Sequence, residues 1–309
     1  MKAVGILGLI LILLLVEGCS HTESVYQPPT KGKEIVTQSE QVAEELTTTV
    51  PSKTEYAPIF QDGFAFFYDY DLEGYVFYSL DKEVTAVTIP PEVGGVNVVA
   101  IGEKAFNDHF KLKEIVIPNT IKKIEDSIFL NCYSLESVVI PESVTEVGVA
   151  IFDGCVSLNS VVIPDHIDIS NGFYAGCKSL TTIAIPDGTT SLNAAFLFCT
   201  NLESVTIPES VTKISNSSFC ACYKLESVIL PSYLTEIEYC TFRYCTSLKE
   251  IHIPKSVKSI GISAFEYCEK LETIYYASTK ADWNKITKAT DWNKNAGDYE
   301  VICTDGIIR

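Results

Sequence analysis

The chain has 309 residues, of which 47% are hydrophobic, and its formal net charge is −17 at pH 7. Its only two arginines are Arg243 and Arg309. Because nucleic acids and anionic lipid surfaces are bound through clustered cations, this composition excludes a nucleic-acid-binding protein and a basic membrane-surface protein.

The first 19 residues have the pattern of a secretion signal. Lys2 is followed by an apolar run from Ala3 to Val16, which is short for a membrane span of about 20 residues. The run ends in Glu17-Gly18-Cys19, which resembles a bacterial lipobox, although Glu17 is unusual there. The resemblance implies lipidation of Cys19 and a membrane anchor. The alternative is an ordinary signal peptide with an incidental cysteine.

Residues 20–55 differ from the rest of the chain in composition. They are rich in Thr, Ser, Glu, Gln, Lys and Pro and almost without aromatic residues. Such a segment buries too little apolar surface to offset the entropy of ordering. We predict a disordered tether between the anchor and a folded domain.

From residue 84 to residue 273 one phrase is repeated every 22 or 23 residues. The common unit holds an alternating β-branched stretch, a proline, a Val/Ile pair, an aromatic residue, a cysteine three residues later and a leucine three further on. The aromatic position holds Phe106, Phe129, Phe152, Tyr174, Phe196, Phe219, Phe242 and Phe265. One such unit has no interior of its own, so units must stack and cover each other.

The periodicity therefore predicts a mostly β repeat solenoid of about eight coils. The stretch before each proline predicts one parallel strand per coil on a concave face, and proline ends the strand because it lacks an amide donor. The Val-x-x-Ile segment after it predicts a short strand or 3₁₀ turn on the opposite side. In this arrangement like side chains form columns through the interior. The unit "PDHIDISNGFYAGC" is one residue short.

The full pattern, Leu-x-x-Ile-x-Ile-Pro-x-x-Val-x-x-Ile-x-x-x-x-Phe-x-x-Cys, resembles the BspA-like leucine-rich repeats of bacterial surface proteins. The flanking segments resemble that family's β-hairpin caps, at 56–83 and 274–309. A second copy of "DWNK", at Asp291, is not assigned to the repeat. The resemblance implies a non-catalytic protein at the bacterial cell surface that adheres to proteins of a host or of neighbouring cells.

Seven of the eleven cysteines share one repeat position, which His109 occupies in the first unit. A buried thiol behaves as a small hydrophobic side chain, and an odd-numbered column cannot pair completely. We therefore expect reduced structural cysteines. Cys220, Cys240 and Cys303 lie outside the column, and a Cys220–Cys240 disulfide is left open.

No enzymatic or metal-binding motif is evident. The cysteines and four histidines lack zinc-site spacing, and no nucleophile elbow, phosphate loop or HExxH sequence occurs. Glutamates recur where the strands start, as at Glu136 and Glu203, which indicates a solvated surface. We expect neither catalysis, cofactor nor metal.

Strand alternation predicts that Leu135, Val138 and Ile140 point inward and that Ser137 and Val139 point outward. The outward column that contains Val139 is apolar over much of its length, which is typical of protein contacts, although Val and Ile also simply favour strands. As candidate ligand-binding residues this column supplies Val139, Val162, Thr206, Ile229, His252 and Tyr275.

An aromatic cluster lies near the C-terminus. Tyr275, Tyr276 and Trp283 either cover the open end of the core or stack on a sugar. The first function hypothesis is therefore protein binding by the concave face. The alternative is a lipoprotein that binds glycan or mucin through this cluster.

Overall fold

A computed structural model describes residues 56–309. The predicted signal peptide, the lipidation at Cys19 and the tether at 20–55 lie outside the described residues. Within the described part of the chain, no helix is long and apolar enough to span a bilayer.

The described chain is built almost entirely of short strands. It also contains helix α1 at Lys280–Lys285. In chain order the strands are β1 (Ile59–Gln61), β2 (Phe64–Asp69), β3 (Gly74–Ser79), β4 (Ala86–Thr88), β5 (Glu92–Val93), β6 (Val96–Ile101), β7 (Glu114–Val116), β8 (Lys123–Ile124), β9 (Ser137–Val139), β10 (Glu146–Val147), β11 (Ser160–Val162), β12 (Thr182–Ala184), β13 (Ser191–Leu192), β14 (Ser204–Thr206), β15 (Lys213–Ile214), β16 (Ser227–Ile229), β17 (Glu236–Ile237), β18 (Glu250–Ile253), β19 (Ser259–Ile260), β20 (Thr273–Tyr276), β21 (Thr287–Lys288), β22 (Glu300–Cys303) and β23 (Gly306–Ile308).

One strand per coil, which precedes a proline in all but the last two coils, pairs in parallel with its equivalent in a neighbouring coil, and this confirms the predicted solenoid. Pairs form between β4 and β7, β9 and β11, β12 and β14, and along β16, β18, β20 and β22. Equivalent residues of neighbouring coils lie side by side: Val162 is paired with Val139, and His252 with Ile229. Within each hydrogen-bonded set the sequence repeat is therefore also the strand register, although no ladder joins β7 to β9, β11 to β12 or β14 to β16 among the described strands.

Of the two predicted alternatives for the segment after the proline, a short strand forms in every regular coil. These two-residue strands pair in parallel between β8 and β10, between β13 and β15, and along β17, β19 and β21. The proline carbonyl accepts a hydrogen bond from the amide of the third residue after it, for example from Val144 at Pro141. A turn therefore separates the two strands in each coil.

The short unit departs from this pattern. Its Ile167 and Ile169 are two residues apart, whereas the equivalent inward pair is three apart in the other coils, and no second strand forms between β11 and β12. Instead, the amide of Ile169 donates to the buried Thr189 hydroxyl of the next coil at 3.3 Å. The Thr189 hydroxyl therefore replaces the backbone acceptor that a second strand would have given the Ile169 amide.

The aromatic residues form one file through the core. Consecutive ring centroids from Phe77 to Phe265 lie 5.4–5.7 Å apart, with interplanar angles from 1° to 27°. Each of these rings is fully buried. The predicted columns of like residues are confirmed.

The solenoid has about ten turns rather than about eight, because both ends continue the stack. At the N-terminal end Phe77, in the antiparallel pair of β2 and β3, stacks on Phe106. At the C-terminal end the ring of Trp292, in the second "DWNK" copy, packs edge-on against Phe265 at 5.9 Å. The Phe265 amide also donates to the Trp292 carbonyl, as Phe242 does to Ala264. By this comparison Trp292 takes the place of Ala264, one residue before the aromatic position of the repeat, and its ring still covers the end of the aromatic file.

The seven column cysteines are buried thiols. Each donates from Sγ to the carbonyl of the aromatic residue one coil earlier, at 3.1–3.2 Å. Burial raises the pKa of every one of these thiols, that of Cys132 to about 12. In this structure all seven are free thiols at one position of the coil, and their reduced state stays a prediction. Among the ten cysteines in residues 56–309 no disulfide forms, so Cys220 and Cys240 are not bonded to each other.

Candidate functional site

The outward side of the strands that contain Val139 and its equivalents, hereafter the strand face, presents apolar side chains to solvent. Leu135, Val138 and Ile140 are buried as predicted, whereas Val139 between them is 59% exposed. The strand requires this alternation, because successive side chains leave opposite sides of the backbone. The same strand therefore stabilises the core and displays a valine.

The exposed valine has a counterpart in every coil. Register places Val162 beside Val139, Thr206 beside Ala184, and Ile229, His252 and Tyr275 in sequence. Val116, Val139, Val162 and Ile229 are each more than half exposed, Ile229 at 69%. The six candidate residues therefore occupy the same outward position of their coils, in three hydrogen-bonded sets, and this line of residues is hereafter called the apolar column.

The apolar column ends in a shallow groove of about 390 Å³. Its wall includes the His252 and Tyr275 rings, which stack at 4.4 Å with an angle of 14°. Ile229 lies at one end of the groove and Ile302, on the hairpin strand β22, at the other. Sequence reasoning missed Ile302, although the alternation in "EVIC" and the pairing of Tyr275 with Ile302 mark the same column.

Beside the apolar column runs a second, hydroxyl-rich outward column. Ser137 pairs with Ser160, and Thr182 with Ser204. These residues are exposed, and Glu136 and Glu203 stand next to them at the start of the strands. The strand face thus has an apolar centre with a polar margin.

The predicted C-terminal aromatic cluster is divided between two roles. Tyr276 and Trp283 are buried and contact each other at 5.3 Å between ring centroids. Thr279 caps α1 by accepting from the Asp282 amide, which holds Trp283 against the last coil. Burial also raises the pKa of Tyr276. These two rings cover the end of the core, and Tyr275 alone belongs to the strand face.

A second cavity, of about 530 Å³, lies in the N-terminal hairpin region. Its wall includes Tyr56, Tyr68, Tyr70 and Glu73, and the Tyr56 and Tyr68 rings stack at 3.9 Å. Sequence analysis did not single out these residues, because they lie outside the repeat. The aromatic run in "FFYDYDLEGY" is the signal that marks them.

Among residues 56–309, no three His, Cys, Asp or Glu side chains are placed to hold a metal ion. Of the described histidines, His109 is buried with Nε2 at 2.9 Å from the Ser79 hydroxyl, and burial lowers its pKa. His166 contacts the Val144 carbonyl at 2.7 Å, and His252 lies on the strand face. The histidines therefore occupy three separate places in the fold.

Comparison with known proteins identifies the repeat. A model of the BspA type leucine rich repeat region (6 copies) matches residues 71–194, 99–225 and 167–287, which together span more than half of the chain. No curated protein sequence matches the chain.

Solved structures with a similar fold include two bacterial proteins. A leucine rich cell surface protein from Faecalibacterium prausnitzii A2-165 is 19% identical, covering 75% of this chain and 98% of its own, with a TM-score of 0.47. The leucine rich repeat protein of T. pallidum is 24% identical, covering 70% and 91%, also with a TM-score of 0.47. Because both TM-scores are below 0.5, the assignment rests on the sequence model: the chain belongs to the BspA-type leucine-rich repeat family.

Proposed function

We propose that the protein is a non-catalytic binding protein of the bacterial cell surface, and that its strand face adheres to proteins of a host or of neighbouring cells. One observation carries this proposal: the apolar column keeps large apolar side chains in solvent across successive coils. Contiguous exposed apolar surface of this kind is typical of protein contacts. A repeat solenoid also offers an extended face to a partner.

The test is capture of surface and matrix proteins by the full-length protein and by two double variants. V139E/I229E places charges in the apolar column, whereas V149E/I262E places them on exposed apolar residues outside it. We expect the first variant to lose the captured partners and the second to retain them. Equal capture by all three proteins, with unchanged melting temperatures, would exclude the strand face.

The proposed location follows from the N-terminal sequence. The lipobox-like end at Cys19 supports a lipid anchor, and two or more acyl chains hold a protein stably at a bilayer. We expect C19A to abolish incorporation of a labelled fatty acid and to move the protein from the membrane fraction to the medium. Retention of the label by this variant would contradict the anchor.

Glycan binding, the alternative function, has less support than protein binding. Of the three aromatic residues proposed to stack on a sugar, Tyr276 and Trp283 are buried against the last coil. Only Tyr275 remains for a ligand, and one of its faces is covered by His252. The cluster is therefore better explained as the cover of the solenoid end.

A further inference from the structure

Over four central coils the apolar column has an acidic margin. These coils carry β9, β11, β12 and β14 and contribute Val139, Val162, Ala184 and Thr206. The third residue after each of these is an exposed acid. In coil order the acids are Glu142, Asp165, Asp187 and Glu209. Carried three residues further, the strand register puts Glu142 beside Asp165 and Asp187 beside Glu209. The Phe152–Tyr174 stack, at 5.7 Å, continues the coils from the first pair to the second, so the acids follow one edge of the column.

The opposite margin of the same four coils carries the same sign of charge. The third residue before each apolar-column residue is exposed, and two of the four, Glu136 and Glu203, are acidic. The other two are Asn159 and Thr181, so neither margin contains a lysine or arginine. The same position is a lysine in coils on either side of these four, Lys113 before them and Lys249 after them.

These six carboxylates are not neutralised within the described chain. None of them is among the ion pairs formed by residues 56–309, which join other acids, for example Glu226 to Lys249 at 3.1 Å and Glu266 to Arg243 at 2.7 Å. Neighbouring strands are about 4.8 Å apart, so carboxylates in one row repel each other. A cationic partner would relieve that repulsion at the place where the apolar column is exposed.

The dimensions of the surface favour a helix as the partner element. Each strand of these coils is three residues long, about 10 Å, and the margin residues lie in the segments just before and just after it. A helix about 10–12 Å wide lying along the apolar column leaves room on each side for a lysine stem to reach a margin. Its pitch of about 5.4 Å is close to the coil spacing of about 4.8 Å, so one apolar side chain per turn meets one coil.

We infer that the strand face between Val139 and Thr206 docks an amphipathic α-helix of a partner protein, whose apolar stripe lies between two rows of lysine or arginine. This inference rests on the proposed function and names the chemistry of the partner. In this complex the apolar column contacts the apolar stripe of the helix, and the two margins contact its rows of lysine or arginine. The mode is that of a helix laid in a groove.

The test uses synthetic helical peptides and the full-length protein, with binding measured by calorimetry. The probe is about 18 residues, or five turns, with leucines at i, i+3, i+4 and i+7 flanked by lysines. A second peptide of identical composition has its leucines distributed around the helix. We expect the striped peptide to bind at least about tenfold more tightly, a difference of about 1.4 kcal/mol. Equal affinities would mean attraction by net charge alone and would overturn the inference.

Two charge-reversal variants locate the binding site. D165K/D187K changes the acidic margin, and E146K/E236K makes the same change in net charge on exposed residues of the second strands, on the opposite side. We expect the first variant to weaken binding of the striped peptide by at least about tenfold and the second by less than about twofold. Equal weakening by both variants would overturn the inference. The peptide comparison on the unmodified protein remains decisive if a variant fails to fold.

A different outcome separates this inference from the proposed function. Glutamate at Val139 adds the charge that a basic partner prefers, so loss of a captured protein by V139E/I229E reports on apolar contact. If that variant loses its partner while D165K/D187K keeps it, the strand face binds protein of another chemistry. The proposed function would then stand, and the basic amphipathic helix would be wrong.

Discussion

The inner and outer sides of the same strands follow different rules. Inward, the rings of Phe219 and Phe242 are parallel to within 1°, and each column cysteine repeats the same hydrogen bond. Outward, the apolar column changes from valine to alanine, threonine, isoleucine, histidine and tyrosine. Both sides belong to one backbone with one register.

The difference shows where a repeat is constrained. An interior residue packs against its own copy one coil away, so a change at one position disturbs two neighbours. An outward residue contacts solvent and the residues beside it, so its identity is set by strand preference or by a partner. Three predictions test this contrast, in descending order of expected effect.

The largest effect concerns pH and the interior thiols. The pKa of each of the seven column thiols is raised from its ordinary 9.0 by burial, so the folded protein holds them protonated when the unfolded chain does not. The contribution of these thiols to the free energy of unfolding is therefore fully present below pH 9. It is lost as the pH rises toward the pKa values of the folded state. Each thiol contributes about 1.4 kcal/mol per pH unit, and seven contribute about 10. Because domains are stable by only about 5–15 kcal/mol, we expect unfolding between about pH 9 and 11.

Removing thiols should reduce that slope. In the triple variant C177A/C199A/C222A, four column thiols remain, so the slope of unfolding free energy against pH should fall to about 6 kcal/mol per unit. Urea titrations followed by circular dichroism at several pH values above 9 measure it. An unchanged slope would show that these thiols do not cause the loss of stability.

The second prediction compares the two sides of the sheet directly. F242A removes a fully buried ring from the aromatic file and should lower the unfolding free energy by about 3–5 kcal/mol. I229A removes an exposed side chain from the apolar column and should change it by no more than about 0.5 kcal/mol. Both are read from urea unfolding at neutral pH. Similar losses in the two variants would mean that the strand face is not free surface.

The smallest of the three effects concerns the short coil. T189V removes the acceptor of the Ile169 amide and should cost about 1–3 kcal/mol, although the side chain keeps its shape. The reverse exchange, V144T, puts a hydroxyl at a fully buried position in a regular coil and should also destabilise. A stabilising T189V would show that the hydrogen bond to Ile169 contributes nothing.

Much of the fold could be predicted because the same pattern of inward, outward and turn residues occurs in one coil after another. The spacing of proline, aromatic and cysteine residues predicts strand, turn and column, and each was confirmed. The extra turns at Phe77 and Trp292 escaped the count, because the terminal segments lack the repeat's proline and add their rings to the aromatic file from other positions of the coil. The compensation by Thr189 escaped too, since a deletion in one coil is repaired by a residue in the next.

The candidate site could be predicted only in part from the sequence. Alternation placed Val139 and its equivalents outward, and the structure brings them into one column. The groove at Tyr275 depends on Ile302, which arrives from the terminal hairpin, and the separation of Tyr275 from Tyr276 and Trp283 depends on how α1 folds over the last coil. These are contacts between segments of unlike sequence, which no internal period predicts.

The sequence by itself determined the unit, its register and the sorting of side chains into inside and outside, because a coil too small to have a core is stable only against its own copy. The tertiary structure alone decided how the two ends are covered, how the short coil is repaired and which exposed residues share one continuous surface. Those outcomes depend on distances between different coils and caps, and such distances exist only once the chain is stacked.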